Sequence, residues 1–211
     1  MPASPLKILV TGGAGYIGSH TVRQLLAAGH QVTVVDNLYS GHRWAVPSTA
    51  DFHQLDIGDE TAISSLLREQ QIDAVTHFAG HIVVPESIAD PAKYYRNNVA
   101  ASLNLIRACC ASGVRYFIFS SSAAVYGDPE QVPVAEHHPT IPINPYGRTK
   151  LITEWTLRDM ALGGRQGNTG LKYVALRYFN VAGASLDGTL GQATPEAVSY
   201  TRLTLPTICR V

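Results

Sequence analysis

Three cysteines in 211 residues leave little material for a disulfide framework. Two of them, Cys109 and Cys110, are adjacent on a segment with helical periodicity, which argues against a bridge or a metal cluster and predicts reduced thiols packed as small apolar groups. The 8 histidines are scattered without ligand spacing, so no metal is expected. A charge excess is missing too: 16 Lys and Arg balance 16 Asp and Glu, which removes the overall field that would favour nucleic acid or an anionic membrane. No run reaches the roughly 18 consecutive apolar residues of a membrane-spanning helix. Residues Met1 to Lys7 lack the charged start, apolar stretch and cleavage site of a signal peptide, and the expected location is the cytoplasm.

What is present is a core-forming composition. Hydrophobic residues make up 45% and charged residues 15%, with a mean hydropathy of +0.04, which suits a folded domain. Short β-branched runs alternate with longer helical stretches, the pattern of repeated βαβ units around a parallel sheet. Strands are predicted at Lys7–Thr11, Gln31–Asp36, Asp51–Leu55, Ala74–Phe78, Tyr116–Ser121 and Leu171–Arg177. A helix over Tyr16–Ala28 ends at Gly29, a residue suited to a left-handed cap. Asp90-Pro91 and Asn144-Pro145 each supply a cap and a first-turn proline, for single helices reaching Ala111 and Ala161. The segment Gly163–Gly170 reads as a flexible surface loop. The fold class expected is α/β, a Rossmann-type doubly wound parallel sheet flanked by helices.

Directly after the first strand comes Gly12-Gly13-Ala14-Gly15-Tyr16-Ile17-Gly18. Gly12 and Gly15 suit a sharp turn and close approach of main chain to a pyrophosphate, and Gly18 lets helix and sheet pack tightly. The phosphates then meet N–H groups at a helix N-terminus. Asp36 ends the second strand, about 20 residues on, where a carboxylate accepts hydrogen bonds from the adenosine ribose. No Arg or Lys occurs from Asn37 to His42, so NAD is expected rather than NADP. Asp56, at the end of the third strand, is expected at the adenine, with a turn cap as the competing role. Phe78, Ala79 and Gly80 close the fourth strand beside the cofactor.

Two further features fall at carboxyl ends of strands. One is Ser120-Ser121-Ser122-Ala123-Ala124-Val125-Tyr126-Gly127; the other is Tyr146-Gly147-Arg148-Thr149-Lys150 at a helix start. A Tyr and a Lys at this spacing share a helix face. A free phenol, with a pKa of about 10, is a poor base at neutral pH. A neighbouring ammonium, the helix N-terminus and an oxidised nicotinamide would each favour the phenolate. Tyr146 then takes a proton from a sugar hydroxyl, Ser122 hydrogen-bonds that hydroxyl and the phenol, and a nicotinamide takes the hydride.

These motifs resemble the extended short-chain dehydrogenase/reductase family. With Asp36-Asn37-Leu38, His77-Phe78-Ala79-Gly80, Tyr94-Tyr95-Arg96-Asn97-Asn98 and Arg177-Tyr178-Phe179-Asn180, they resemble its UDP-glucose 4-epimerase branch over about residues 6 to 197. The resemblance implies reversible inversion at C4 of UDP-glucose and UDP-galactose through a 4-keto sugar, as in galactose metabolism. It implies Tyr146 as base, Lys150 as its orienting partner and Ser122 as helper. It also implies an NAD site lined by Tyr16, Ile17, Asp36, Asn37, Asp56, Ile57, Phe78, Ala79, Gly80, Asn97 and Phe179, with Asn180 on the UDP-sugar. A homodimer through the helices near Asp90–Ala111 and Asn144–Ala161 is implied by the family as well.

Related 4,6-dehydratases place an Asp-Glu pair, and decarboxylases a Glu, before the Val-Tyr-Gly, where this chain has Ala123 and Ala124. Alanine moves no protons, so these readings are disfavoured. A non-catalytic NAD-binding protein would be expected to lack the Tyr/Lys pair. Two departures from the family pattern stand out. Ile82 occupies a position that is often basic, and the chain stops at Val211, where relatives continue into a domain that grips the UDP-sugar. The expected organisation is an NAD-binding domain over residues 1–180, the start of a substrate domain over 181–197, and a non-native tail over 198–211.

Overall fold

The computed structural model describes residues 4–163 and 170–193; the loop core and the tail discussed above lie outside the described residues. Six strands, β1 (Lys7–Thr11), β2 (Gln31–Val35), β3 (Asp51–His53), β4 (Ala74–His77), β5 (Tyr116–Ser120) and β6 (Lys172–Leu176), form one sheet in the order β3-β2-β1-β4-β5-β6. Every pairing is parallel, with Leu9 opposite Thr33 on one side and Val75 on the other. This is the doubly wound order, and it reverses direction between β1 and β4, where such sheets bind ligands.

Strand periodicity sorts side chains onto two faces. In β1, Leu9 joins Val75, Phe117, Phe119 and Leu157 in one core, while Ile8 and Val10 join Val22, Val32 and Val34 in the other. Helix α1 (Tyr16–Ala27) covers the second core, and α2 (Glu60–Gln70), α5 (Ala101–Ala111) and α6 (Pro145–Leu162) cover the first. The Asn144 side chain caps α6 by accepting the Gly147 N–H at 2.8 Å, as its position before Pro145 predicts.

The single helix expected from Asp90 to Ala111 is divided. Helix α4 (Pro91–Tyr94) passes through a π-helical stretch, Tyr95–Ala100, into α5. The Asn98 carbonyl accepts a 3.0 Å hydrogen bond from the Thr153 hydroxyl on α6. Such a side-chain partner lets the ladder widen locally. Helices α2 and α3 (Val84–Ala89) were not anticipated from periodicity. Two of the described residues beyond 180 contact α1: the Tyr16 hydroxyl donates to the Gly183 carbonyl at 2.6 Å, and Arg23 donates to Thr189 at 2.8 Å. Among the described residues no helix is long and apolar enough to cross a membrane.

Candidate active site

A cleft of about 170 Å³ opens at the switch point. Of the residues expected around a dinucleotide, Gly12, Gly15, Tyr16, Ile17, Gly18, Asp36, Asn37, Asp56, Ile57, Phe78, Ala79, Gly80 and Asn97 all line it. The glycines differ in role. Gly12 has φ of +71°, and a Cβ there would stand 2.6 Å from the Ala79 nitrogen; one on Gly18 would stand 2.1 Å from the Gly12 carbonyl oxygen. Gly15, the N-cap of α1, has no side chain to cap the helix and would crowd only the Gly12 oxygen, at 3.2 Å. Its missing side chain leaves the helix N-terminus open to an anion in the cleft, which is the fit a pyrophosphate requires.

Asp36 has a structural task that the motif alone conceals. Its carboxylate accepts the Ala14 N–H at 3.0 Å and the Leu38 N–H at 2.8 Å, so it braces the glycine turn from within. Burial, with only 7% exposure, raises its pKa in spite of these bonds. Carboxylate oxygens carry further lone pairs, so ribose hydroxyls can still be accepted from the cleft side. Asp56 fills its competing role as a turn cap, accepting the Gly58 N–H at 2.7 Å, while accepting from Asn37 at 2.9 Å and lining the cleft.

The three residues expected to carry proton chemistry, Tyr146, Ser122 and Lys150, gather just beyond the cleft lining. Lys150, 4% exposed, donates a 2.8 Å hydrogen bond to the carbonyl of Ser120, a cleft-lining residue, and its Nζ lies 5.8 Å from the Tyr146 ring centre. A Cβ on Gly80 would stand 3.7 Å from that Nζ, so the loop after β4 abuts the ammonium at Gly80. Ser122 hydrogen-bonds the Tyr146 hydroxyl. Electrostatics here correct the expectation of an acidified phenol: burial raises the Tyr146 pKa, and the Ser122 bond only partly opposes it. The physical reason is burial of the phenol itself, and the neighbouring Lys150 is desolvated too, with its pKa lowered to about 8, while it donates to a main-chain carbonyl.

Phe179 is not brought to the cleft. It is 71% exposed and lines a second cavity of about 660 Å³ with Trp155 and Arg177. Asn180 is exposed and lies outside the cleft lining as well. The residue turned inward from this segment is Tyr178. Its hydroxyl is hydrogen-bonded to Ser120, and its carbonyl accepts the Ala123 N–H at 3.0 Å. Arg177 is held by the Glu154 carboxylate through Nη2 at 2.6 Å and Nε at 3.0 Å, which orients the segment's exit from β6.

Tyr39, Ser40, Gly41, Leu55, His81, Ser120 and Gln192 went unnoticed in the sequence and line the cleft, and so does Ile82, the position that is often basic in the family. Proximity to Asp36 and Gly80 could have flagged the first three and His81. Asn98 accepts the His81 N–H at 2.8 Å and donates to the His81 carbonyl at 2.9 Å, pinning the loop after β4. Among the described residues no group of three His, Cys, Asp or Glu could hold a metal ion.

Comparison with known proteins agrees with this geometry. The sequence model described as NAD dependent epimerase/dehydratase family matches residues 8–201. The UDP-glucose 4-epimerase of Azospirillum brasilense is 52% identical over 195 residues, covering 92% of this chain and 54% of that protein. Among solved structures, UDP-glucose 4-epimerase from Brucella ovis in complex with NAD superposes with a TM-score of 0.86 at 46% identity, over 91% of this chain and 57% of that one. The enzyme from Stenotrophomonas maltophila, with bound NAD and formylated UDP-arabinopyranose, gives 0.83 at 40% identity, over 89% and 57%. The chain spans about half the length of the curated relatives it matches.

Proposed function

The chain belongs to the NAD dependent epimerase/dehydratase family, and from that premise we propose that it is the NAD-binding portion of a UDP-glucose 4-epimerase acting in the cytoplasm on UDP-glucose and UDP-galactose. The observation that carries this reading is the grouping of Tyr146, Ser122 and Lys150 just beyond a glycine-lined cleft, to which Lys150 is joined through the carbonyl of the cleft-lining Ser120. In this reading Gly12, Gly15 and Gly18 with the start of α1 hold the pyrophosphate, Asp36 takes the adenosine ribose, and Asp56 with Ile57 faces the adenine. Phe78, Ala79, Gly80 and Asn97 flank the inner half. Phe179 and Asn180 reach cofactor and UDP-sugar only if the segment after Tyr178 turns when ligands bind.

When bound, oxidised nicotinamide accepts a hydride from the sugar carbon and returns it. The protein's own part is proton handling. Tyr146 removes the proton from the C4 hydroxyl as the 4-keto sugar forms and gives it back after the sugar has turned over. Ser122 hydrogen-bonds both the hydroxyl and the phenol, and so lowers the cost of the phenolate. Burial raises the Tyr146 pKa, so the phenolate needs positive charge brought in with the cofactor to form near neutral pH. Ala123 and Ala124, in the 3₁₀ turn that Ser122 caps, offer no acid or base for dehydration or decarboxylation. The reading includes a homodimer through α5 and α6, whose Leu103 and Trp155 are exposed apolar residues.

The test is to incubate UDP-galactose with the chain, and with any longer product of its gene, without added NAD, and to measure UDP-glucose. Conversion without net NADH is expected from the longer product. Net NADH accumulation would point to a dehydrogenase, and no conversion would remove the epimerase assignment.

A further inference from the structure

Strands β2 and β4 are not neighbours; β1 lies between them. Their carboxyl ends are therefore two strand spacings apart, roughly 10 Å. The loops that follow them nevertheless meet. The Tyr39 ring, just beyond β2, packs edge-on against the His81 ring, just beyond β4, with centroids 4.8 Å apart and planes at 78°. Lys93 on α4 donates a 2.8 Å hydrogen bond to the Tyr39 hydroxyl, and its Nζ lies 5.0 Å from the ring centre. Tyr39 and His81 both line the dinucleotide cleft. Their contact has to arch over the carboxyl end of β1, where the Gly12–Gly18 turn sits.

Each component of this arch is braced from behind. Lys93 is ion-paired with Glu86 of α3, and Glu86 also accepts from the Tyr94 hydroxyl at 2.8 Å. The His81 main chain is pinned by Asn98 on both its N–H and its carbonyl. On the other wall, Leu38 is held at φ of +60°, a sparsely populated conformation for a side chain of its kind. The Asp36 carboxylate fixes it there through the Leu38 N–H, and Asn37 accepts the Tyr39 N–H at 3.0 Å. Strain of this sort persists where the surroundings impose it, and here it turns Tyr39 back toward the opposite wall. Tyr39 stays 62% exposed, so its contacts serve the bridge and not the core.

We propose that Tyr39, His81 and Lys93 form a latch across the mouth of the cleft that sets how fast the dinucleotide enters and leaves. This rests on the NAD reading of the cleft. The cleft measures about 170 Å³ with the latch in place, below the roughly 300 Å³ at which small-molecule sites begin. A dinucleotide is admitted when Tyr39 swings away and is retained when it returns. Asp36 and the glycine turn hold the ligand itself, whereas the latch acts on the path.

The experiment uses the fluorescent analogue 1,N6-etheno-NAD, with association and dissociation rates measured on the whole chain by stopped flow. The variants are Tyr39→Ala, which removes every contact, Tyr39→Phe, which keeps the ring contacts, and Lys93→Met, which removes the donor. Tyr39→Ala is expected to raise both rates by about tenfold while affinity changes much less, with Tyr39→Phe and Lys93→Met falling between it and the parent. Acceleration of dissociation alone would make Tyr39 an ordinary ligand contact and overturn the latch. Unchanged rates in all three variants would overturn it equally. Failure of the parent chain to bind the analogue removes the NAD reading and the latch together, whereas normal parent binding with unaltered variants removes the latch alone. Should Tyr39→Ala not fold, the two milder variants decide.

Discussion

The ammonium of Lys150 is held by the carbonyl of Ser120, 2.8 Å away at the end of β5, so the cation of the Tyr146/Lys150 pair is anchored by a neutral acceptor. Burial then governs its titration and lowers its pKa to about 8. Below that pH both states carry the charge, but only the folded state carries it desolvated.

Stability is therefore expected to rise with pH between about 8 and 10.5, because the unfolded chain binds the Lys150 proton more tightly than the folded one. The contribution is roughly 3 kcal/mol across the full window. Urea denaturation at pH 7.5 and pH 10 should show this rise in the parent, and Lys150→Met should lose it. A parallel pH dependence in both proteins would exclude Lys150 as its source.

His77 works the other side of neutrality. It is buried between Thr11, at 2.7 Å, and Ser102, at 2.9 Å, and desolvation lowers its pKa to about 3. The unfolded chain then binds the extra proton between pH 6.5 and 3, so stability falls on acidification, by about 2 kcal/mol at pH 5. His77→Phe should be less stable at pH 7, by about 1–3 kcal/mol for the two abandoned hydroxyls. Its deficit relative to the parent should shrink as pH falls; a constant deficit from pH 7 to 4.5 would show that His77 does not titrate in this way.

Gly15 and Gly18 should respond differently to the same methyl group. Gly18→Ala sets a Cβ 2.1 Å from a main-chain oxygen and should abolish the fold or cost more than about 3 kcal/mol. Gly15→Ala meets its nearest atom at 3.2 Å and should melt within a few degrees of the parent while losing at least about tenfold in NAD affinity. Thermal melts and fluorescence titrations separate the two. Parent-like affinity in Gly15→Ala would argue that no pyrophosphate lies on the α1 N-terminus.

Tyr146→Phe should leave NAD binding intact and lower turnover of the whole enzyme by about 10²–10⁴-fold. Because burial raises the phenol's pKa, parent activity should climb with pH on its acid limb, and the residual activity of the variant should not. Stopped assays of UDP-galactose conversion from pH 6 to 9 test both points; a variant that keeps the parent's pH profile would remove Tyr146 as the base.

Strands β1, β2 and β4 were legible because buried parallel strands carry near-continuous apolar runs, and Ile8, Leu9 and Val10 have water on neither face. The starts of α4 and α6 were legible because Asp90 and Asn144 cap from within the same turn. Helix α2 was missed although Asp59 caps it in the same way, by accepting the Ala62 N–H at 3.0 Å. The π-helical stretch had no local signal, since its Asn98 carbonyl is satisfied by Thr153 from another helix.

Residue spacing by itself determined the glycine turn, the acid at the end of β2 and the Tyr/Lys pair, because each depends on backbone geometry over one turn or one strand. Only the tertiary structure decided that Asp36 braces the turn it faces, that Tyr146 is made a weaker acid, that Phe179 points to a different cavity and that Tyr39 reaches His81 across β1. Desolvation and contacts between distant elements exist only once the chain is packed, and they set the charge and the access of the site.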